Sequence, residues 1–194
     1  MQARGQRTRA ELIGAMRSAI QRNGVARSSI SDVLEATGIK KGSLYFHFAD
    51  KDDLALAALE QAGENFLAFV DESLEGDTPW QRLEGFLERA IADHRRVGFV
   101  GGCVFGNTTL EMADADPRYG EVLSRVFDGW IRRLAEVIGQ GQEAGEVRAD
   151  MPAAALARHM VAVTEGGIMQ ARLGKAETAL REPLETLKRL IQPQ

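Results

Sequence analysis

The chain has 194 residues, 44% hydrophobic and 27% charged, a composition that suits one core or two small ones and excludes a disordered chain. A single cysteine excludes an intrachain disulfide or a cysteine-built zinc site, and the three histidines, at 47, 94 and 159, lack ligand spacing, so neither metal nor other cofactor is expected. The net charge of −4 argues against nucleic acid until it is divided: residues 1–48 hold eight Lys or Arg against three acids, a net +5, and the remainder holds 16 against 25, a net −9.

The opening MQARGQRTRAE is charged and has no apolar signal region behind it, and no later run is long enough to cross a membrane, so a cytoplasmic protein without a membrane partner is expected. Arg4, Arg7 and Arg9 suit either a mobile arm reaching phosphates or a frayed, solvated terminus. A first helix is predicted from about Thr8 to Asn23. Leu12, Ile13, Met16, Ala19 and Ile20 form its apolar stripe, Thr8 with Glu11 reads as a capping box, and Asn23-Gly24 ends it.

The stretch SISDVLEATGIKKGSLYFHFADK, Ser29 to Lys51, reads as helix, tight turn and short second helix. Ser28 or Ser29 caps the first of these, and Ile30, Val33 and Leu34 fall at helical spacing. Gly38 sits where a chain leaving a helix in the left-handed conformation needs no β-carbon. Ile39, Leu44, Phe46 and Phe48 supply apolar groups to close a small shared core. The polar face then carries Lys40, Lys41, Ser43, Tyr45 and His47, cations with hydroxyl and imidazole groups suited to phosphate oxygens and base edges. Asp50 can cap the next helix, and Lys51 in its first turn can share a phosphate with the helix amides. This is the build of a helix-turn-helix that reads double-stranded DNA.

These residues resemble the DNA-binding half of TetR-family transcriptional regulators. Gly38, Lys41-Gly42-Ser43-Leu44-Tyr45, Phe48 and Lys51 stand at that family's spacings, although its usual Ile-Ala pair in the second helix is here Ser31-Asp32. The resemblance implies an all-α fold: an N-terminal three-helix helix-turn-helix domain over 1–50, followed by a helical effector-sensing and dimerisation domain over 51–194. It also implies a repressor that binds a palindromic operator as a homodimer and is released by a small-molecule effector. Ser29, Lys40, Lys41, Gly42, Ser43, Tyr45, His47 and Lys51 are the expected DNA-binding residues.

The rest of the chain also reads as helical. A long helix from Lys51 to Leu74 has an apolar face too wide for a surface helix. Further helices are expected from Pro79 to Arg96, Cys103 to Ala113, Pro117 to Gln140, Pro152 to Leu173 and Ala176 to Ile191, with prolines at first turns and glycines at ends. Gly139 to Gly145 reads as a flexible connection. In the last two helices, Ala153, Ala154, Ala155, Ala157 and Ala162 allow close approach, and Leu180, Leu184, Leu187, Leu190 and Ile191 form an apolar face. They are the expected homodimer interface, with an intramolecular core as the alternative.

Between Val97 and Asn107 the run GFVGGCVFGN places glycines before Cys103 and a helix start beside it, a setting that favours thiolate. A buried, inert cysteine is the alternative reading. The Gly-Gly-Cys run with Asn107 and Glu111 resembles a branch of TetR-like regulators that respond to electrophiles or small unsaturated acids. Cys103, Phe105, Asn107, Trp130, His159 and Arg172 are therefore the expected effector-sensing residues, alongside a pocket that also draws on Phe66, Phe69, Phe86, Phe99, Met160 and Met169, with Glu165 and Gln170 as further polar contacts. A cysteine-dependent enzyme with His94 or His159 as base lacks an orienting third group, and a helical interaction module leaves the basic N-terminal segment unexplained.

Overall fold

The computed structural model describes residues 2–193, with side chains from Arg4 onward. Among the described residues there are nine helices and no strand: α1 Gln2–Asn23, α2 Ile30–Thr37, α3 Lys41–His47, α4 Lys51–Ser73, α5 Pro79–Arg96, α6 Val104–Met112, α7 Pro117–Glu143, α8 Ala153–Gly174 and α9 Thr178–Ile191. They form two compact units. One is the chain up to Asn65 with Val104–Ser124; the other is Phe66–Cys103 with Arg125–Gln194. Position 50, where the sequence suggested a boundary, lies inside the first unit.

The first unit is built on α1, which packs against α2 and α3. Leu12, Ile13, Met16, Ala19 and Ile20 are all buried, as their helical spacing demands, and are joined by Val33, Leu44, Phe48, Leu54 and Leu59. The start of α1 departs from expectation. Thr8 is not a cap: its hydroxyl donates to the Arg4 carbonyl at 3.1 Å, one turn earlier in a helix that has already begun. Arg4, Arg7 and Arg9 are accordingly helical and form no arm, and the Arg9 guanidinium stands 5.2 Å over the Phe48 ring.

Two long-range ties hold this unit. The Tyr119 hydroxyl, on a fully buried side chain of α7, donates to Asp52 of α4 at 2.8 Å. The Glu111 carboxylate of α6 accepts from the Val25 and Ala26 N–H groups at 2.8 and 2.7 Å, in the turn between α1 and α2. Gly24 in that turn has φ 81°, and a β-carbon there would stand 2.8 Å from a Glu111 oxygen, so conformation and clearance both require glycine.

In the second unit, Phe86, Leu87, Ile91, Trp130, Leu134, Ile138, Leu156 and Met160 form the centre of a core completed by α9. Leu180, Leu184, Leu187 and Ile191 are at most 1% exposed within the subunit. This corrects the α9 half of the expected homodimer face: α9 turns that stripe onto α8 and α5, and only Leu190 of the stripe is exposed, whereas Ala154, Ala155 and Ala162 of α8 are exposed. Gly167 explains the closeness of α8 and α9, because a β-carbon there would meet Leu180 Cδ1 at 2.8 Å. The expected flexible connection at Gly139 to Gly145 is also corrected. Helix α7 continues to Glu143, and Gly141 is a packing position whose β-carbon would stand 2.6 Å from Val147 Cγ2.

Candidate nucleic-acid interface and sensing region

The helix-turn-helix is assembled by local interactions. The Ser29 hydroxyl accepts from Asp32 N–H at 3.2 Å while the Asp32 carboxylate accepts from Ser29 N–H at 3.0 Å, a complete capping box that gives Asp32 its role. Ser28 instead donates to the Gly24 carbonyl. At the other end of α2, Gly38 is left-handed with φ 67°, and its N–H closes on the Leu34 carbonyl at 2.9 Å. The chain then enters α3 through Lys40. The start of α4 is locked likewise: Asp53 N–H donates to Asp50 Oδ1, and Ala49 N–H donates to Asp53 Oδ2.

Helix α3 is anchored by a single fully buried side chain, Leu44, with Phe48 closing the core just beyond it. Lys40, Lys41, Gly42, Ser43 and Tyr45 are exposed, and His47 is half-buried. The Lys41 ammonium lies 5.9 Å over the Tyr45 ring. Lys51, expected to face outward, donates to the Val25 carbonyl at 3.2 Å and is half-buried, so its ammonium braces the α1–α2 turn. Phe46 corrects the sequence reading: it is 83% exposed and contributes nothing to the core. Its ring meets only the edge of His47 among the described ring contacts, at 5.1 Å.

The expected sensing residues divide between the units. Phe105, buried, and Asn107, half-buried, belong to the first; Cys103, Trp130, His159 and Arg172 belong to the second. Within the second, Cys103 is half-buried immediately before α6, and the Glu165 carboxyl of α8 lies beside its thiol. Burial pushes the Glu165 carboxyl up from the ordinary carboxylate range, and the thiol contact draws it partly back. Glu165 Oε1 is buried with no hydrogen-bond partner, as is the Trp130 indole Nε1. Trp130 sits in an aromatic cluster, with Phe66 edge-on at 5.1 Å, Phe86 at 6.0 Å and Phe127 stacked at 6.3 Å. His159 and Arg172 lie on the exposed side of α8 and take no part in that buried group.

The backbone before Cys103 is unusual. Gly98, Phe99, Gly101 and Gly102 all have positive φ, and at Phe99, with φ 56°, the conformation is strained for a residue with a β-carbon. Burial of the Phe99 ring and a hydrogen bond from Lys175 Nζ to its carbonyl at 3.2 Å hold it there. Sequence reasoning singled out this segment through its glycines but had no signal for Lys175, which closes α8 from 76 residues away.

Residues 12–58 match the family model for bacterial regulatory proteins of the tetR family, and residues 79–187 match that for the tetracyclin repressor-like C-terminal domain. The chain belongs to the TetR family. It is 32% identical over 164 residues to the transcriptional regulator AcuR of Cereibacter sphaeroides, covering 84% of this chain and 75% of that protein. It is 26% identical to the HTH-type transcriptional repressor DhaR of a Mycobacterium species, over 84% of this chain and 79% of that one. A TetR regulatory protein from Rhodobacter sphaeroides has the same fold, with a TM-score of 0.87 and 30% identity over 94% of this chain and 97% of that structure. TetR-family proteins are DNA-binding transcriptional regulators, so the Cys103 enzyme reading falls away. No described helix is long and apolar enough to cross a membrane, and the described residues include no cluster of His, Cys, Asp or Glu that could hold a metal ion.

Proposed function

We propose that the protein is a cytoplasmic repressor that binds a palindromic operator as a homodimer and is released by a small-molecule effector. The observation that carries the reading is α3, where Lys40, Lys41, Ser43 and Tyr45 stand exposed around a helix pinned by one buried leucine. One such helix covers too few base pairs for genomic specificity, and two-fold pairing supplies a second half-site. Ser43, Tyr45 and His47 reach phosphates or base edges, Lys40 and Lys41 neutralise phosphates, and Gly42 admits the duplex. Ser29 contributes chiefly as the cap that positions α2, and Lys51 chiefly as the brace on Val25.

The face proposed for pairing is the exposed side of α8. There Ala155, His159, Ala162, Met169 and Leu173 recur at helical spacing, and Met169 and Leu173 are 61% and 88% exposed. Two large apolar side chains so exposed, beside small residues that permit close approach, fit an interface with a second copy. On this reading His159 and Arg172 serve the interface and not the effector.

The effector is an electrophile that reacts at Cys103. The sulfur adds to an activated carbon–carbon double bond, whose π bond breaks. The thiol proton ends on the neighbouring carbon. Because Cys103 is the residue before α6, an adduct there bears on the helix whose Glu111 holds the α1–α2 turn. Release then follows if the adduct favours an arrangement with lower DNA affinity.

The test is operator binding by the purified protein on a selected DNA pool, before and after a mild electrophile. Wild type should bind a palindrome and release it on treatment, while Cys103→Ser should bind and stay bound. Release of both proteins alike would remove Cys103 from the switch, and failure to select any DNA would remove the regulator reading itself.

A further inference from the structure

Two features of α3 have no internal cause. Phe46 is 83% exposed, and Gly42 sits inside a seven-residue helix although nothing in the protein lies within 4 Å of where its β-carbon would stand. Gly42 does not adopt a positive φ either, so neither backbone conformation nor internal packing asks for glycine, which weakens a helix relative to alanine. An isolated exposed aromatic is ordinary. An exposed aromatic next to an unexplained glycine on the face of a DNA-reading helix is a pattern with a direction.

That direction follows from helix geometry. Gly42 and Phe46 each lie two residues from Leu44, about 200° around the axis from it on either side, so both point away from the core that Leu44 enters. They are four residues apart and therefore neighbours on the outer surface. The centre of the outward face is thus a bare patch followed by an aromatic ring, and the polar groups Ser43 and Tyr45 stand to its sides with Lys40 and Lys41 at the helix start. A surface of that shape fits the floor of the major groove, where the apolar feature presented by DNA is the thymine C5-methyl group.

We propose that Phe46 is a specificity-determining residue whose ring packs on a thymine methyl in each half-site, and that Gly42 provides the clearance that brings the base edges close enough for this contact. The proposal rests on α3 entering the major groove. It assigns Phe46 a role different from those of Lys40 and Lys41: the lysines position the protein on any duplex, whereas Phe46 favours T at a given step.

The experiment uses the full-length protein and the operator recovered from a selected pool. Each half-site thymine is replaced in turn by deoxyuridine, which keeps the base pair and removes only the methyl, and affinity is read by fluorescence anisotropy for wild type, Phe46→Leu, Phe46→Ala and Gly42→Ala. At one position per half-site, wild type should lose about 4-fold in affinity on methyl removal, the worth of one methyl group taken out of apolar contact. Phe46→Leu should keep part of that discrimination and Phe46→Ala should bind both duplexes equally. Gly42→Ala should bind the operator more weakly while unfolding no earlier than wild type, since the added methyl meets nothing in the protein and alanine favours the helix. Discrimination that is absent in wild type, or that survives in Phe46→Ala, overturns the assignment. If the pool yields no preferred sequence for wild type, both this proposal and the DNA-reading role of α3 fail. A selected operator without methyl dependence fails Phe46 alone.

Discussion

Val25 is held from both sides of its peptide: its N–H donates to the Glu111 carboxylate at 2.8 Å, and its carbonyl accepts from the Lys51 ammonium at 3.2 Å. The turn that sets α2 and α3 against α1 is therefore fixed by side chains from α6 and α4. Glu111→Ala should destabilise the fold by about 2 kcal/mol, since it removes a charged acceptor from two backbone donors. Glu111→Gln, with a single carbonyl acceptor, should fall between. Denaturant midpoints with unchanged slope would check this, and an alanine variant as stable as wild type would show that water replaces the carboxylate without cost.

Tyr119 gives a second, spectroscopic handle on the same unit. Its phenol is held protonated well beyond the ordinary range by burial first and by the hydrogen bond to Asp52 second. A raised folded-state pKa means that the folded chain keeps a proton the unfolded chain gives up. Stability from this source is intact below the ordinary phenol range, about pH 10, and falls as pH rises beyond it. Tyr119→Phe should cost about 1 kcal/mol at neutral pH and should flatten that alkaline loss, measured as unfolding midpoints at increasing pH.

An ion-pair network ties α5 to α9 in the second unit. Glu177 accepts from Arg95 Nη2 at 2.7 Å and from Arg181 Nε at 2.9 Å, and Arg181 also meets Glu88. The two guanidinium groups, Arg95 foremost, hold the Glu177 carboxyl down at about 2, against an ordinary 4.5. A depressed folded-state pKa contributes stability that is present above the ordinary value and is lost as pH falls toward 2. Glu177→Gln should thus be less stable than wild type at neutral pH, and the two should converge as pH falls from 4.5 toward about 2. A difference that persists unchanged into acid would contradict the assignment. Because Arg95 is exposed and Glu177 and Arg181 are only half-buried, the gap should also narrow with added salt.

The parts of this structure legible in the sequence are those set by neighbours along the chain. The Ser29 cap, the left-handed Gly38, the stripe from Leu12 to Ile20 and the termini of most helices are consequences of spacing and terminal chemistry, and they stand where expected. Inward and outward were harder to tell. Helix α3 is only two turns long, and the alternation of Leu44, Phe46 and Phe48 fits a core on either side of it, so sequence alone does not turn Phe46 outward. On α9 the leucine stripe was identified correctly as apolar, but periodicity does not say whether its partner is the same chain or another. The Glu111, Tyr119 and Lys175 contacts join residues 67 to 86 positions apart, and nothing in a single sequence marks such pairs.

The exposed apolar side of α8 predicts the oligomeric state. Leu173→Glu places a charge where Leu173 is already 88% exposed in the subunit, so it should leave helix content and thermal unfolding of the monomer unchanged. Sedimentation should then shift from dimer to monomer, and affinity for a palindromic operator should fall toward that for a single half-site. A variant that remains dimeric would move the interface elsewhere.

The most direct test of the central claim, that α3 is the DNA-reading element, is the salt dependence of operator binding for wild type and for the double variant Lys40→Ala/Lys41→Ala. For wild type, log affinity should fall linearly with log salt. Each phosphate contact removed should lower the slope by about 0.9, and the double variant should bind more weakly and with a shallower slope to operator and random duplex alike. Equal affinities and equal slopes for the two proteins would show that the basic start of α3 does not face the phosphates, and would contradict the account at its foundation.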